Sequence, residues 1–199
     1  MARAGLGLAL NRRMHTRRPL GFLIAIVLLA FVATPLTAAD PPVRVPHVRP
    51  MSPELQSLVD EGIERSPALR ALVAKLEASN VIVYVNFREF PEKIVEGRLV
   101  FIGTTARLRY LQIFIESSLP HEKHLSLLGH EFRHALEIAA EPSVVDSLSM
   151  GRYYGEIGYR VAGPPHQQRY ETREAIVSGR RVLGEVIASI AAEEKAGRD

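Results

Sequence analysis

The sequence His-Glu-Phe-Arg-His at residues 130–134 constrains the fold most, because its two histidines can act together only if the segment is helical. On an α-helix, residues four apart lie about one turn apart on the same face. Two imidazoles in this arrangement can bind a single Zn²⁺. The intervening Glu131 would then lie beside the open coordination position and could take a proton from zinc-bound water. The pentapeptide therefore predicts a helix that presents His130 and His134 to a cleft.

The flanking residues favour this helix. Pro120 suits its first turn, and Gly129 lies near its apolar stripe, where a missing side chain would allow a close approach to a sheet. His121 and His124 point away from the two paired histidines, and we expect them at the surface. The same pattern also fits an ordinary amphipathic helix with two surface histidines. The apolar stripe consists of Leu125, Leu128, Phe132, Ala135, Leu136 and Ala139.

A catalytic zinc takes three protein ligands and keeps a fourth position for water. Residues 169–194 are predicted to form a long helix, with Glu171 bordering its apolar face and Glu174 directed to solvent. We predict Glu171 as the third ligand. Glu137 is the main competitor, either as a ligand or by orienting His134 and holding an arginine. The other carboxylates that follow the pentapeptide are Glu141 and Glu156.

Residues 1–39 have the pattern of a secretory signal. Arginines precede an apolar run from Leu20 to Leu36, and small residues end the segment at Ala39. Cleavage after Ala39 would release the mature chain, whereas an uncleaved run over residues 20–36 would anchor the protein in a membrane. We therefore expect an exported protein that is periplasmic or secreted, or anchored to the inner membrane. Residues 40–52 are rich in proline and are predicted to form an extended linker.

The basic character of the chain comes from the segment that precedes the predicted domain. Of 25 lysines and arginines, five lie in residues 1–39, where there is no acidic residue, so residues 40–199 carry 20 basic and 22 acidic residues. This balance gives no reason to expect nucleic-acid binding. The chain has no cysteine, which leaves histidines and carboxylates as the zinc ligands.

Residues 53–195 are predicted to form one α+β domain. Ser52 and Ser66 each precede a proline and begin a helix. Strand patterns follow at residues 81–85, 99–103 and 108–115. We expect these strands to form a small, mainly antiparallel sheet that packs against the metal-binding helix and the long C-terminal helix. Between these helices, residues 143–168 are predicted to be irregular. Their Tyr153, Tyr154, Tyr159 and His166 could either donate a hydrogen bond to an oxyanion or simply pack the loop.

The pentapeptide resembles the active-site helix of the zincin metallopeptidases, and residues 170–175 resemble the Glu-bearing helix of zincins with a distant third ligand, the gluzincin type. The resemblance implies that His130 and His134 bind zinc, that Glu131 is the general base, and that an edge strand pairs with an extended substrate. The metzincin continuation is excluded, because it would need glycine at 137 and histidine or aspartate at 140. Arg133 departs from the family, which usually has an uncharged residue there.

Two functions follow from this reading. The first is an exported zinc-dependent metallohydrolase, most consistent with a peptidase that acts on a peptide or protein substrate. The second is a catalytically inactive zincin-like domain with a binding or structural role in the periplasm or at the membrane. Arg133 favours the second function, and the complete pentapeptide favours the first.

Overall fold

The computed structural model describes residues 45–91, 94–161 and 169–198. The predicted signal or anchor in residues 1–39 lies outside these residues and stays a prediction. Among the helices that are described, none combines the length and the apolar character that a membrane crossing requires. These residues form an α+β fold with five helices and a small mixed sheet.

The first two helices begin at the predicted serine–proline pairs. Helix α1 spans Pro53–Arg65 and helix α2 spans Pro67–Glu77. The hydroxyl of Ser52 accepts a hydrogen bond from the backbone of Leu55, and that of Ser66 accepts one from Leu69. Each bond satisfies a donor that the first helical turn leaves without a partner, so the local sequence is sufficient to fix both helix starts.

The sheet consists of β1 (Val48–Pro50), β2 (Val81–Arg88), β3 (Gly97–Thr104) and β4 (Arg109–Glu116), in the order β1-β2-β4-β3. Strand β2 runs parallel to both β1 and β4, whereas β3 and β4 are antiparallel. The prediction of a mainly antiparallel sheet is therefore wrong. Strand β4 inserts between β2 and β3, so β3 lies at one edge of the sheet and β1 at the other. The nearly continuous burial of β2 is typical of a strand in a parallel arrangement.

Strand β1 lies within residues 40–52, which the sequence predicted to be a linker. Val48 is buried in the core and pairs with Val83 of β2. The carboxylate of Glu77 accepts hydrogen bonds from the backbone of His47 and Val48, at 3.0 Å from the Val48 nitrogen. The folded part of the chain therefore begins before the predicted boundary, because a proline-rich segment can still add a short strand at a sheet edge.

Helix α3 (His121–Ala140) carries the pentapeptide and is followed by α4 (Ser147–Ile157), β5 (Tyr159–Arg160), β6 (Tyr170–Glu171) and α5 (Arg173–Ala196). Helix α4 lies in the stretch that was predicted to be irregular. Its start is fixed by a capping box, in which Asp146 and Ser149 each bond to the backbone of the other. The long helix starts later than predicted, so Glu171 lies on β6 and not on the helix.

Glycines bring α3 and α5 into close contact. A Cβ on Gly129 would lie 2.5 Å from Cγ2 of Val182 and 3.4 Å from the carbonyl oxygen of Ser178, both on α5. On the facing helix, a Cβ on Gly179 would lie 3.0 Å from the carbonyl oxygen of Ser126. Gly129 therefore allows the approach of another helix, and the prediction that it faces a sheet is wrong. This crossing places the start of α5 beside the histidine face of α3.

A buried arginine holds the C-terminal end of α3. The guanidinium of Arg109 on β4 donates hydrogen bonds to the carbonyl oxygens of Ile138, Ala139, Glu141 and Val144, at 2.6 to 3.2 Å. Ile138 and Ala139 belong to the last turn of α3, where a helix leaves its carbonyl groups short of donors, and Glu141 and Val144 lie just beyond it. Arg109 thus fixes the helix to the sheet.

The two histidines of α3 that were predicted to lie at the surface differ in position. His121 is exposed, as predicted, and contacts Glu61 at 2.7 Å. His124 is buried, and its Nε2 bonds to the carbonyl oxygen of Glu116 at 2.9 Å, so the prediction for His124 is wrong. The ring also packs against Phe87 of β2. His124 belongs to the face of α3 that contacts the sheet.

Candidate metal centre

Three side chains converge between α3 and the short strand β6. Donor atoms of His130, His134 and Glu171 all lie within 4.8 Å of one another. Oε2 of Glu171 is 3.0 Å from Nε2 of His130 and 3.6 Å from Nε2 of His134. The structure therefore brings together the three residues that the sequence predicted as ligands, although 37 positions separate the second histidine from the glutamate.

The donor set could hold a metal ion, because imidazole nitrogens and a carboxylate oxygen are ligand types that Zn²⁺ accepts. Nitrogen and oxygen ligands about 2.0–2.2 Å from zinc lie about 3.3 Å from each other. The two distances from Oε2 of Glu171 to the imidazole nitrogens lie on either side of that value, and the three donors all lie within 4.8 Å of one another. Within the described part of the chain, the buried Oε2 of Glu171 has no hydrogen-bond partner, in spite of its short contact with His130. A buried carboxylate oxygen without a hydrogen bond is costly, and a cation at this position would satisfy it.

The carboxylate of Glu171 and the imidazole of His134 stabilise each other's charged forms. Burial raises the pKa of Glu171, but the neighbouring imidazoles of His130 and His134 outweigh burial and lower it to about 2. Burial lowers the pKa of His134, but Glu137 and Glu171 outweigh this effect and raise it to about 9. A metal ion that takes the place of the imidazolium proton would meet an ionised carboxylate, which is the protonation state that ligation requires.

Glu137 orients the ligands from the side away from the cleft. Its Oε2 lies 2.9 Å from Nδ1 of His134, which leaves Nε2 of that ring for a metal. Its Oε1 accepts a hydrogen bond of 2.8 Å from the hydroxyl of Thr172, the residue that follows Glu171 and caps α5. Arg133 contacts the same oxygen at 3.5 Å. Of the two predicted roles for Glu137, the structure supports the orienting one, which connects the two elements that carry the ligands.

Glu131 of α3 is buried against the start of the edge strand β3. Its carboxylate packs against Gly97 so closely that a Cβ at position 97 would collide with Oε1. Burial raises the pKa of Glu131, and the imidazoles of His130 and His134 reduce this effect only in part. A carboxylate with a raised pKa is suited to accept a proton near neutral pH.

The remaining candidates do not join the centre. Glu156 and Glu174 are exposed on helices, and Glu141 bonds to the backbone of Ser143. Tyr154 is buried, and its hydroxyl donates to the carbonyl oxygen of His134, as the packing interpretation predicts. The ring of Tyr153 packs on that of Tyr154, Tyr159 is half exposed on β5, and His166 lies outside the described residues.

The centre lies between two cavities. One, of about 610 Å³, lies between β3 and α4, and the other, of about 250 Å³, lies between the starts of β3, α3 and α5. Gly97, Glu131, Arg169 and Glu171 line both cavities, which therefore adjoin at the candidate metal centre. The sequence analysis missed the roles of Gly97 and Thr172. Thr172 had a recognisable signal as a helix cap, whereas the contact of Gly97 depends on the sheet order.

Comparisons with known protein families, curated proteins and solved structures found no match for this chain. The proposals below are therefore based on the geometry of the chain itself and on the resemblance of its motif.

Proposed function

We propose that the protein is an exported zinc-dependent metallohydrolase, specifically a peptidase of the gluzincin type. His130, His134 and Glu171 would hold the metal, and Glu131 would act as the general base. The observation that carries this proposal is the convergence of the three donors beside a buried carboxylate at the junction of two cavities. Bound zinc supplies a Lewis acid that polarises a carbonyl group and acidifies water.

Glu131 moves the proton in this proposal. Its carboxylate takes a proton from the attacking water while the new carbon–oxygen bond forms at the scissile carbonyl. The same group then returns the proton to the amine nitrogen, and the carbon–nitrogen bond breaks. The buried position beside Gly97 supports this role, because burial favours the protonated carboxyl that the second step needs.

The edge strand supplies a template for an extended substrate. On the side away from β4, no described strand pairs with β3, and backbone groups on such an edge can form hydrogen bonds with a peptide. The strand begins at Gly97, beside Glu131, and Gly97 and Leu99 line the larger cavity. A peptide that pairs with β3 would therefore pass the general base.

The position of Arg133 removes the main objection to catalysis. Its guanidinium contacts Glu137, which bonds to His134, and Arg133 is not among the described residues that line either cavity. Its charge thus supports the orienting carboxylate and does not obstruct the cleft. This contact weakens the argument from Arg133 for the catalytically inactive domain.

Elemental analysis of the purified full chain tests the metal centre. We expect one zinc per chain in the wild type and its loss in His134→Ala and Glu171→Ala. Glu174→Ala is the matched control, because Glu174 is an exposed glutamate three residues away on α5. Absence of zinc from folded wild-type protein that has been offered the metal would refute the site, and retention in Glu171→Ala would refute the third ligand.

Glu131→Gln tests the mechanism. We expect this variant to keep its zinc and to lose cleavage of a mixed peptide library. Unchanged turnover would exclude Glu131 as the base. Zinc-loaded wild-type protein that cleaves no peptide would support the inactive binding domain. Export is tested separately, by fractionation of the cells and by N-terminal sequencing of the mature chain.

A further inference from the structure

The cleft beside the metal centre is lined by basic side chains. Arg98 of β3 and Arg152 of α4 line the larger cavity, Arg180 of α5 lines the smaller one, and Arg169 lines both. Of the carboxylates, Glu131 and Glu171 belong to the proposed centre. Among the described residues of the two linings, one further carboxylate is present, Glu96, and it contacts Lys123 at 2.9 Å.

This positive charge is local. Residues 40–199 carry 20 basic and 22 acidic residues and are therefore slightly acidic as a whole. The lining of the cleft, in contrast, has an excess of basic side chains. Arg152 and Arg180 are exposed, on different helices and beside different cavities. A bound Zn²⁺ would offset the negative charges of Glu131 and Glu171, which lie between them. Charge of one sign in a cleft attracts ligands of the opposite sign.

The larger cavity also has an apolar wall. Leu99, Leu148 and Met150 line it together with the ring of Tyr154. Leu148 is 71% exposed, a high value for a leucine, and it would lose contact with water if an apolar ligand group occupied the cavity. The cleft therefore combines an apolar subsite with arginines on both sides of the metal centre.

We propose that the substrate is an acidic peptide segment, in which an apolar residue occupies the larger cavity and carboxylates on both sides of the scissile bond face Arg152 and Arg180. This inference rests on the proposed function, because it assigns the substrate class of the same cleft. A peptide that pairs with β3 would pass both cavities, because Gly97, at the start of that strand, lines both of them. Arginine is suited to this recognition, since its guanidinium can bind a carboxylate through two hydrogen bonds.

Three matched fluorescein-labelled peptides test the proposal. They share a leucine-containing centre and are flanked by glutamates, glutamines or lysines. Cleavage is measured with the zinc-loaded full chain, and binding is measured by anisotropy with zinc-loaded Glu131→Gln. We expect the glutamate-flanked peptide to exceed the lysine-flanked one by about tenfold in kcat/KM and in affinity, with the difference falling as salt rises.

Reversing the charge of single arginines tests which of them recognise the acidic flanks of the peptide. Arg152→Glu and Arg180→Glu should each reduce the preference for glutamate flanks by up to about fivefold, the upper limit expected for one exposed ion pair. Arg107→Glu is the matched control, because Arg107 is exposed in the β3–β4 turn and is not among the described residues of either lining. Equal zinc content in all variants shows that each has folded.

The two proposals fail in different ways. Cleavage of all three peptides at equal rates would overturn the acidic substrate and leave the proposed peptidase activity intact. The same conclusion would follow if Arg107→Glu lost as much preference for glutamate flanks as Arg152→Glu and Arg180→Glu. Tight, charge-dependent binding of the glutamate-flanked peptide without cleavage would support the recognition and refute the peptidase. Absence of binding to every peptide would overturn the acidic substrate.

Discussion

The crossing of α3 and α5 makes a quantitative prediction about Gly129. In Gly129→Ala, the added Cβ would lie 2.5 Å from Cγ2 of Val182, whereas carbon atoms pack at about 3.5–4.0 Å. The shortage is therefore about 1.0–1.5 Å. Val182 is fully buried and β-branched, so its side chain has few other rotamers, and the two helices must separate.

Two effects of opposite sign determine the size of the change. Alanine is favoured over glycine inside a helix by about 1 kcal/mol, and overpacking a buried contact costs about 1–3 kcal/mol. Gly129→Ala should therefore lower the free energy of unfolding by up to about 2 kcal/mol. Gly184→Ala, on α5, is the matched control, because no atom lies within 4 Å of its added Cβ. It should raise the free energy of unfolding by about 1 kcal/mol.

Urea unfolding of the metal-free full chain measures both variants, and elemental analysis measures the consequence for the site. Separation of the helices would move Glu171 away from His130, so we expect Gly129→Ala to bind zinc more weakly than Gly184→Ala. Adding Val182→Ala to Gly129→Ala should restore part of the stability, because it removes the colliding methyl groups. Equal stabilisation by the two glycine replacements would refute the proposed crossing.

Three further predictions concern the site and its support. Gly97→Ala should displace the carboxylate of Glu131 and lower turnover on the order of 100-fold while zinc content is unchanged; unchanged turnover would contradict the contact. Arg109→Met should lower the free energy of unfolding by about 3 kcal/mol in urea titrations, because carbonyl oxygens at the end of α3 and just beyond it lose a charged donor; a neutral effect would contradict this capping role. In the metal-free protein, burial lowers the pKa of His134 but neighbouring carboxylates raise it to about 9, above its ordinary 6.5. The resulting stability should be complete below pH 6.5 and lost as the pH rises through about 9, and Glu137→Gln should weaken this loss in pH-dependent thermal unfolding; an identical pH profile would contradict the pairing.

Local signals in the sequence predicted helices α1, α2, α3 and α5 and strands β2 to β4, whereas α4 and β1 were not predicted. The starts of α1 and α2 follow from a serine that caps the helix and a proline that fits its first turn, both within four residues of the chain. The shared face of His130 and His134 follows from the helical repeat alone. Helix α4 also had a local signal, because the capping box at Asp146 and Ser149 is readable in the sequence.

Contacts between distant segments were harder to predict. The strand patterns did not reveal that β4 inserts between β2 and β3, because alternation fixes which face is buried and does not fix which strand is the neighbour. The placement of Gly129 against α5 depends on the same kind of information. His124 was predicted at the surface because its position on α3 was judged against a single apolar stripe, whereas the helix contacts both the sheet and α5.

The sequence by itself determined that two imidazoles share one face of a helix with a carboxylate between them, because that geometry depends on the helical repeat. It also narrowed the third ligand to a few glutamates. Only the tertiary structure placed Glu171 next to the histidines, since this position depends on the close crossing of α3 and α5 and on the bond from Thr172 to Glu137. Zinc binding stays a prediction. The helix places His130 and His134 within one turn of each other, so local sequence predicts their position. Glu171 is distant in the chain, and only tertiary packing brings it to them.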